Sequence, residues 1–106
     1  MTVKCINKES ELTVGNLYEV IMLENQGSEY QIKNDSEKIK NYPAESFIVT
    51  HIIKAKCKED LNIDLIKDNI YDVVSIDKER NECRVIDESG EDYIYDMDCF
   101  DFLDDK

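Results

Sequence analysis

Asn16-Leu17-Tyr18-Glu19-Val20 returns 53 residues later as Asn69-Ile70-Tyr71-Asp72-Val73. At the same offset Leu12 meets Leu65, Ile32 meets Val85, Tyr42 meets Tyr95 and Phe47 meets Phe100. Val3-Lys4-Cys5 reappears as Ala55-Lys56-Cys57. The matched positions are mainly apolar, aromatic or turn-forming, the classes that define a fold. Chance similarity does not hold one spacing over about thirty-five residues, so the chain is read as two copies of one small unit.

Each copy reads as short strands. In the first, 2–6 alternates apolar and polar residues, and a polar excursion follows through Lys8-Glu9-Ser10-Glu11. Residues 17–24 are rich in β-branched, aromatic and aliphatic side chains, and Asn25-Gln26-Gly27 supplies a hairpin turn. Residues 28–33 have the period of a half-buried strand, with Tyr30 and Ile32 on one side. A turn at Asn34-Asp35-Ser36 leads into 38–42, Pro43-Ala44-Glu45-Ser46 reads as a short helical turn, and a closing strand starts at Phe47. The second copy repeats this at 54–58, 70–77, 82–87, 91–95 and 100–103. Helix is the alternative for 59–67, where Leu61, Leu65 and Ile66 have roughly helical spacing; Gly15 in the matching stretch argues for a loop in both.

Five short strands with a long loop after the first and a helical turn before the last describe an SH3-like small barrel. Leu12-Thr13-Val14-Gly15-Asn16-Leu17-Tyr18-Glu19-Val20 resembles the stretch in which that family's diverging turn feeds the second strand. Tyr42-Pro43-Ala44-Glu45-Ser46-Phe47 resembles its proline, helical turn and closing aromatic. The whole pattern is similar to short phage and prophage proteins that carry one or two such barrels. Peptide-binding SH3 domains stack proline-rich ligands on a tyrosine-containing first strand and a tryptophan. This chain has no tryptophan, and its first strands read Val3-Lys4-Cys5-Ile6 and Ala55-Lys56-Cys57-Lys58, so no aromatic polyproline groove is expected. The expected fold is all-β, with two tandem SH3-like five-stranded barrels, 1–51 and 52–106. No Gly, Pro or Ser-rich spacer lies between Phe47 and Ile53. Units of about fifty residues are near the lower limit for independent folding, so the barrels are expected to pack together as one rigid body.

The chain has 106 residues, of which 25 are acidic and 13 basic, and a net charge of -12. Such a chain is not expected to bind nucleic acid directly, because the phosphate backbone favours Lys and Arg. An apolar content of 42% is enough for a core. The apolar stretches are far shorter than a bilayer requires and the N-terminus lacks the apolar run of a signal peptide, so a cytoplasmic location is expected. Residues 1–53 hold 8 acidic and 5 basic residues, net -3, whereas 54–106 hold 17 and 8, net -9. Nine carboxylates and no cation fall between Val85 and Asp105: Asp87, Glu88, Glu91, Asp92, Asp96, Asp98, Asp101, Asp104 and Asp105. Tyr93 and Tyr95 are interleaved with them.

A solvated face that aids solubility is the ordinary reading of such a run. The sharper reading is a surface that imitates a nucleic-acid backbone, since same-face strand residues stand about 6.6 Å apart, close to successive phosphates. The residues assigned to partner binding are Asp87, Glu88, Glu91, Asp92, Tyr93, Asp96, Asp98, Asp101 and Asp104. The expected partner is a basic, nucleic-acid-handling host protein, bound with strong salt dependence. The resemblance to phage proteins adds an anti-defence role, anti-CRISPR inhibition being the concrete form. Two alternatives stand beside it: a general interaction module using barrel loops and exposed aromatics, and a small-ligand or nucleotide-sequestering protein.

Other chemistries find little to build on. Cys5, Cys57, Cys83 and Cys99 are widely spaced with no C-x-x-C pair, and read as core thiols rather than zinc or redox groups. His51 is the single histidine, in a strand-like stretch without an evident catalytic partner. Asp77-Lys78-Glu79-Arg80-Asn81-Glu82 superficially matches the start of an EF-hand loop, but its sixth position is Glu82 where that loop needs glycine. No Ser–His triad pattern and no Gly-rich phosphate loop is present. The reading is a binding protein, not an enzyme, with no metal and no cofactor.

Overall fold

The computed structural model describes residues 1–60 and 63–103. It is all-β, in two units, Met1–His51 and Ile52–Lys106. The first unit contains β1 (Thr2–Cys5), β2 (Leu17–Glu24), β3 (Glu29–Lys33), β4 (Ile39–Pro43) and β5 (Phe47–His51). The second contains β6 (Ile53–Cys57), β7 (Ile70–Asp77), β8 (Glu82–Ile86), β9 (Asp92–Asp96) and β10 (Phe100–Leu103). Each unit forms one antiparallel five-stranded sheet, and the spatial orders are the same: β4-β3-β2-β1-β5 and β9-β8-β7-β6-β10. The repeat in the sequence is therefore a repeat of topology.

The correspondence extends to irregularities. The register of β2 on β3 slips between Val20 and Met22, and that of β7 on β8 slips between Val73 and Ser75, which is the same place in each copy. A 3₁₀ turn precedes each last strand, at Ala44–Ser46 and Met97–Cys99. The connection expected as a hairpin turn at Asn25–Gly27 is itself a 3₁₀ segment, with all three residues at positive φ. Residues 82–86 follow 70–77 as a hairpin, so the stretch from Asp77 is no calcium loop.

The cores repeat as well. Val3, Cys5, Leu12, Tyr18, Val20, Ile32 and Phe47 are buried in the first unit. Ala55, Cys57, Leu65, Tyr71, Val73, Val85 and Phe100 take their places in the second, joined by Cys83. Alternate strand positions supply these residues, as a sheet with one packed face requires. The thiols of Cys5, Cys57 and Cys83 are buried and unbonded to one another, and burial pushes the Cys83 thiol up to about 12.

The long loop after each first strand is a turn-rich loop rather than a helix over its described residues. Leu61 lies outside them, and Leu65 anchors the loop with no exposed surface. Gly15 N–H donates to the Cys5 carbonyl at 2.8 Å, and Asp68 N–H donates to that of Cys57 at 2.8 Å. Both residues stand at positive φ, +95° and +73°. Among the described residues no helix is long and apolar enough to cross a membrane.

Candidate partner-binding surface

The residues assigned from sequence separate into an internal and an external group. Asp87 is internal, at 5% exposure. Its carboxylate accepts from the Ser89 backbone N–H at 2.9 Å, from the Ser89 hydroxyl, and from the Tyr95 hydroxyl at 2.7 Å. A buried carboxylate held by three donors is a structural group, not a partner contact. Its counterpart is Asn34, which accepts from Ser36 N–H at 3.0 Å and contacts the Tyr42 hydroxyl through its amide at 3.2 Å.

Glu88 is likewise engaged within its own unit. The Tyr71 hydroxyl donates to it at 2.7 Å and the Asn69 amide at 3.0 Å. These two hydrogen bonds, the tyrosine's first, hold its carboxyl below the usual glutamate range. The Tyr71 hydroxyl also accepts from Ile66 N–H at 2.9 Å, and so pins the long loop to the turn after β8. In the first unit Tyr18 does the same: it donates to Asp35 at 2.8 Å and accepts from Thr13 N–H at 2.9 Å. Asp87-Glu88 is thus the second copy of Asn34-Asp35, a pair set by the fold.

Of the rest, Asp104 lies outside the described residues. Tyr93 is 48% exposed but stands on the opposite face of β9 from Asp92 and Asp96, since neighbouring strand residues point to opposite sides. Asp92 is shielded and lies 3.6 Å from the Arg84 guanidinium. Asp101 lies opposite Lys56 and 3.7 Å from the Lys58 amine. Glu91 and Asp98 are exposed, and their carboxylates have no hydrogen-bonding or ionic partner among the described residues.

The registers assemble an acidic row that the sequence reading did not single out. Asp77 lies opposite Glu82, and Glu82 opposite Asp96, so three carboxylates cross β7, β8 and β9 side by side. Neighbouring strands are about 4.8 Å apart, and like charges placed opposite one another repel. Partial relief comes from the hairpin tip. Arg80 reaches Asp77 at 3.9 Å, and the Asn81 amide donates to Asp96 at 2.8 Å. Met97 N–H donates to the Asn81 carbonyl at 2.9 Å, which brings the 3₁₀ turn and Asp98 against the same tip. Asp98 N–H in turn donates to the Asp96 carboxylate at 2.9 Å. Asp77, Glu82, Asp96 and Asp98 therefore gather at one end of the second sheet.

The signal for Asp77 and Glu82 was available in the hairpin's length, because a tight turn between them forces them opposite each other. The next two rows, Ser75–Arg84–Ile94 and Asp72–Ile86–Asp92, carry less negative charge. Asp72 is itself bonded to the Lys54 amine. Among the described residues no three His, Cys, Asp or Glu side chains converge as a metal site requires. No protein-family model, no curated protein and no solved structure matches this chain.

Proposed function

We propose that the chain is a binding protein of two SH3-like small barrels that docks on a cationic surface of a partner protein through the acidic end of its second unit. The observation that carries this reading is the cross-strand row Asp77–Glu82–Asp96, extended by Asp98. A protein holding carboxylates in repulsive proximity gains when an array of Lys and Arg is brought against them. A surface that normally accepts a phosphate backbone is such an array. The partner is accordingly a nucleic-acid-handling protein whose basic cleft is blocked. An anti-defence inhibitor of phage or prophage origin, acting in the host cytoplasm, is the biological form that the resemblance to phage proteins suggests. This action is binding, with no catalysis and no cofactor.

Affinity capture from a bacterial lysate at low and at high salt tests it. Basic, nucleic-acid-binding proteins are expected at low salt and lost at high salt, and Glu82→Gln with Asp98→Asn weakens their capture. Retention of partners that are neither basic nor salt-sensitive would sink the proposal.

A further inference from the structure

β9 is the outermost strand of the second sheet: β8 lies on one side of it and no strand follows on the other among the described residues. The phase of its hydrogen bonds is fixed at both ends. Asp87 N–H donates to the Glu91 carbonyl at 3.1 Å, and Met97 N–H donates to that of Asn81 at 2.9 Å. Both pairs continue the β8–β9 register. In an antiparallel ladder, hydrogen-bonded and non-bonded pairs alternate. The main chains of Glu91, Tyr93 and Tyr95 therefore turn toward β8, and those of Ile94 and Asp96 turn toward the open edge.

The first unit shows how such an edge is closed. Its outermost strand is β4, and its ladder has the same phase: Asn34 N–H donates to the Lys38 carbonyl and Ala44 N–H to that of Ser28. The residue matching Asp96 is Pro43, which has no N–H to offer at that edge. Proline on an edge strand is a common guard against pairing with another chain. The second copy carries an N–H there in its place, beside an Ile94 side chain that is 54% exposed.

We propose that the β9 edge receives an extended segment of the basic partner as a sixth strand of the second sheet. This rests on the acidic-docking reading and names how the partner is held. The occupant is a segment with an apolar residue opposite Ile94 and Lys or Arg on the same side toward Asp96. Main-chain bonds to Ile94 and Asp96 supply the grip, and alternate side chains supply the selectivity. A second copy of this chain is disfavoured there, because it brings Asp96 and its neighbours against a chain of net charge -12.

The backbone makes a clean test available. Asp96 has φ -67° and ψ 133°, and Pro43 has φ -65° and ψ 132°, so Asp96→Pro fits the existing conformation and copies the first unit. Asp96→Asn removes the charge and keeps the N–H. The probe is the blocked peptide TKTVTKT, with TETVTET as control, titrated at low salt and followed by backbone amide shifts and hydrogen exchange. On the unmutated protein, slowed exchange confined to the edge-facing amides of β9, those of Ile94 and Asp96 among them, is expected with the lysine peptide alone.

Asp96→Pro is expected to bind that peptide about 3- to 10-fold more weakly than Asp96→Asn, the loss of one interfacial hydrogen bond. Equal binding by the two variants overturns strand addition. If both also capture the lysate partner equally, and less well than the parent, electrostatic docking stands without it. Protection away from the β9 edge, or self-association that Asp96→Pro abolishes, also overturns the assignment.

Discussion

Tyr18 and Tyr71 are the residues on which each unit's long loop depends. Each is buried, and each hydroxyl joins a loop N–H to a carboxylate across the sheet. Tyr71→Phe strands the Ile66 N–H and removes the donor to Glu88. A loss of about 1–2 kcal/mol is expected in urea unfolding. An unchanged midpoint would show that water replaces the hydroxyl without cost.

Glu88 adds a pH dependence whose sign follows from its lowered folded-state pKa. Its contribution is complete above the ordinary glutamate pKa and is lost as pH falls through the lower, folded value. The Tm of the parent is expected to fall across that acid window more steeply than that of Glu88→Gln. Parallel curves for the two would remove Glu88 as the source. None of this is legible in the string Asp87-Glu88-Ser89, which looks like any solvated acidic turn. The Asp87 carboxylate accepts from the Tyr95 hydroxyl, which lies a hairpin away.

Among the elements, the long loop shows most directly where the two copies diverge. Gly15 occupies a positive-φ position at no steric cost, and Asp68 occupies the equivalent position at φ +73°. Among the described residues the Asp68 carboxylate gains only an exposed contact with Lys56 at 3.9 Å. Asp68→Gly is expected to stabilise the protein by about 0.5–1 kcal/mol, since the relief of left-handed strain outweighs that pair. Chemical denaturation of the variant measures it, and a destabilised variant would mean that the side chain is needed. The strands themselves are largely readable: periodicity places β7, β8 and β10 at 70–77, 82–87 and 100–103, and they stand at Ile70–Asp77, Glu82–Ile86 and Phe100–Leu103. β-branched and aromatic residues in a period of two left little room for another conformation. The stretch 59–67 is ambiguous as sequence, because an apolar residue at Leu65 fits a helical face and an anchored loop equally well.

At the scale of the molecule, one topology carries two unequal charges, -3 and -9 on either side of Ile53. Added salt screens repulsion within each unit and has more to screen in the second. Amide exchange in β7 and β8 is therefore expected to slow with salt more than exchange in β2 and β3. An equal response would imply that the internal ion pairs already neutralise the second unit. Arg84–Asp92, Lys58–Asp101, Arg80–Asp77, Lys54–Asp72 and Lys56–Asp68 are such pairs among the described residues.

Two five-stranded sheets, the course of their strands and the apolar residues they share are already legible in the amino-acid string. Those properties follow from local periodicity and from a repeat that needs no knowledge of what touches what. Tertiary structure alone decided which carboxylates are internal supports and which share an outward row. Whether a side chain meets a donor, a cation or another acid depends on cross-strand register, and register joins residues that the chain keeps apart.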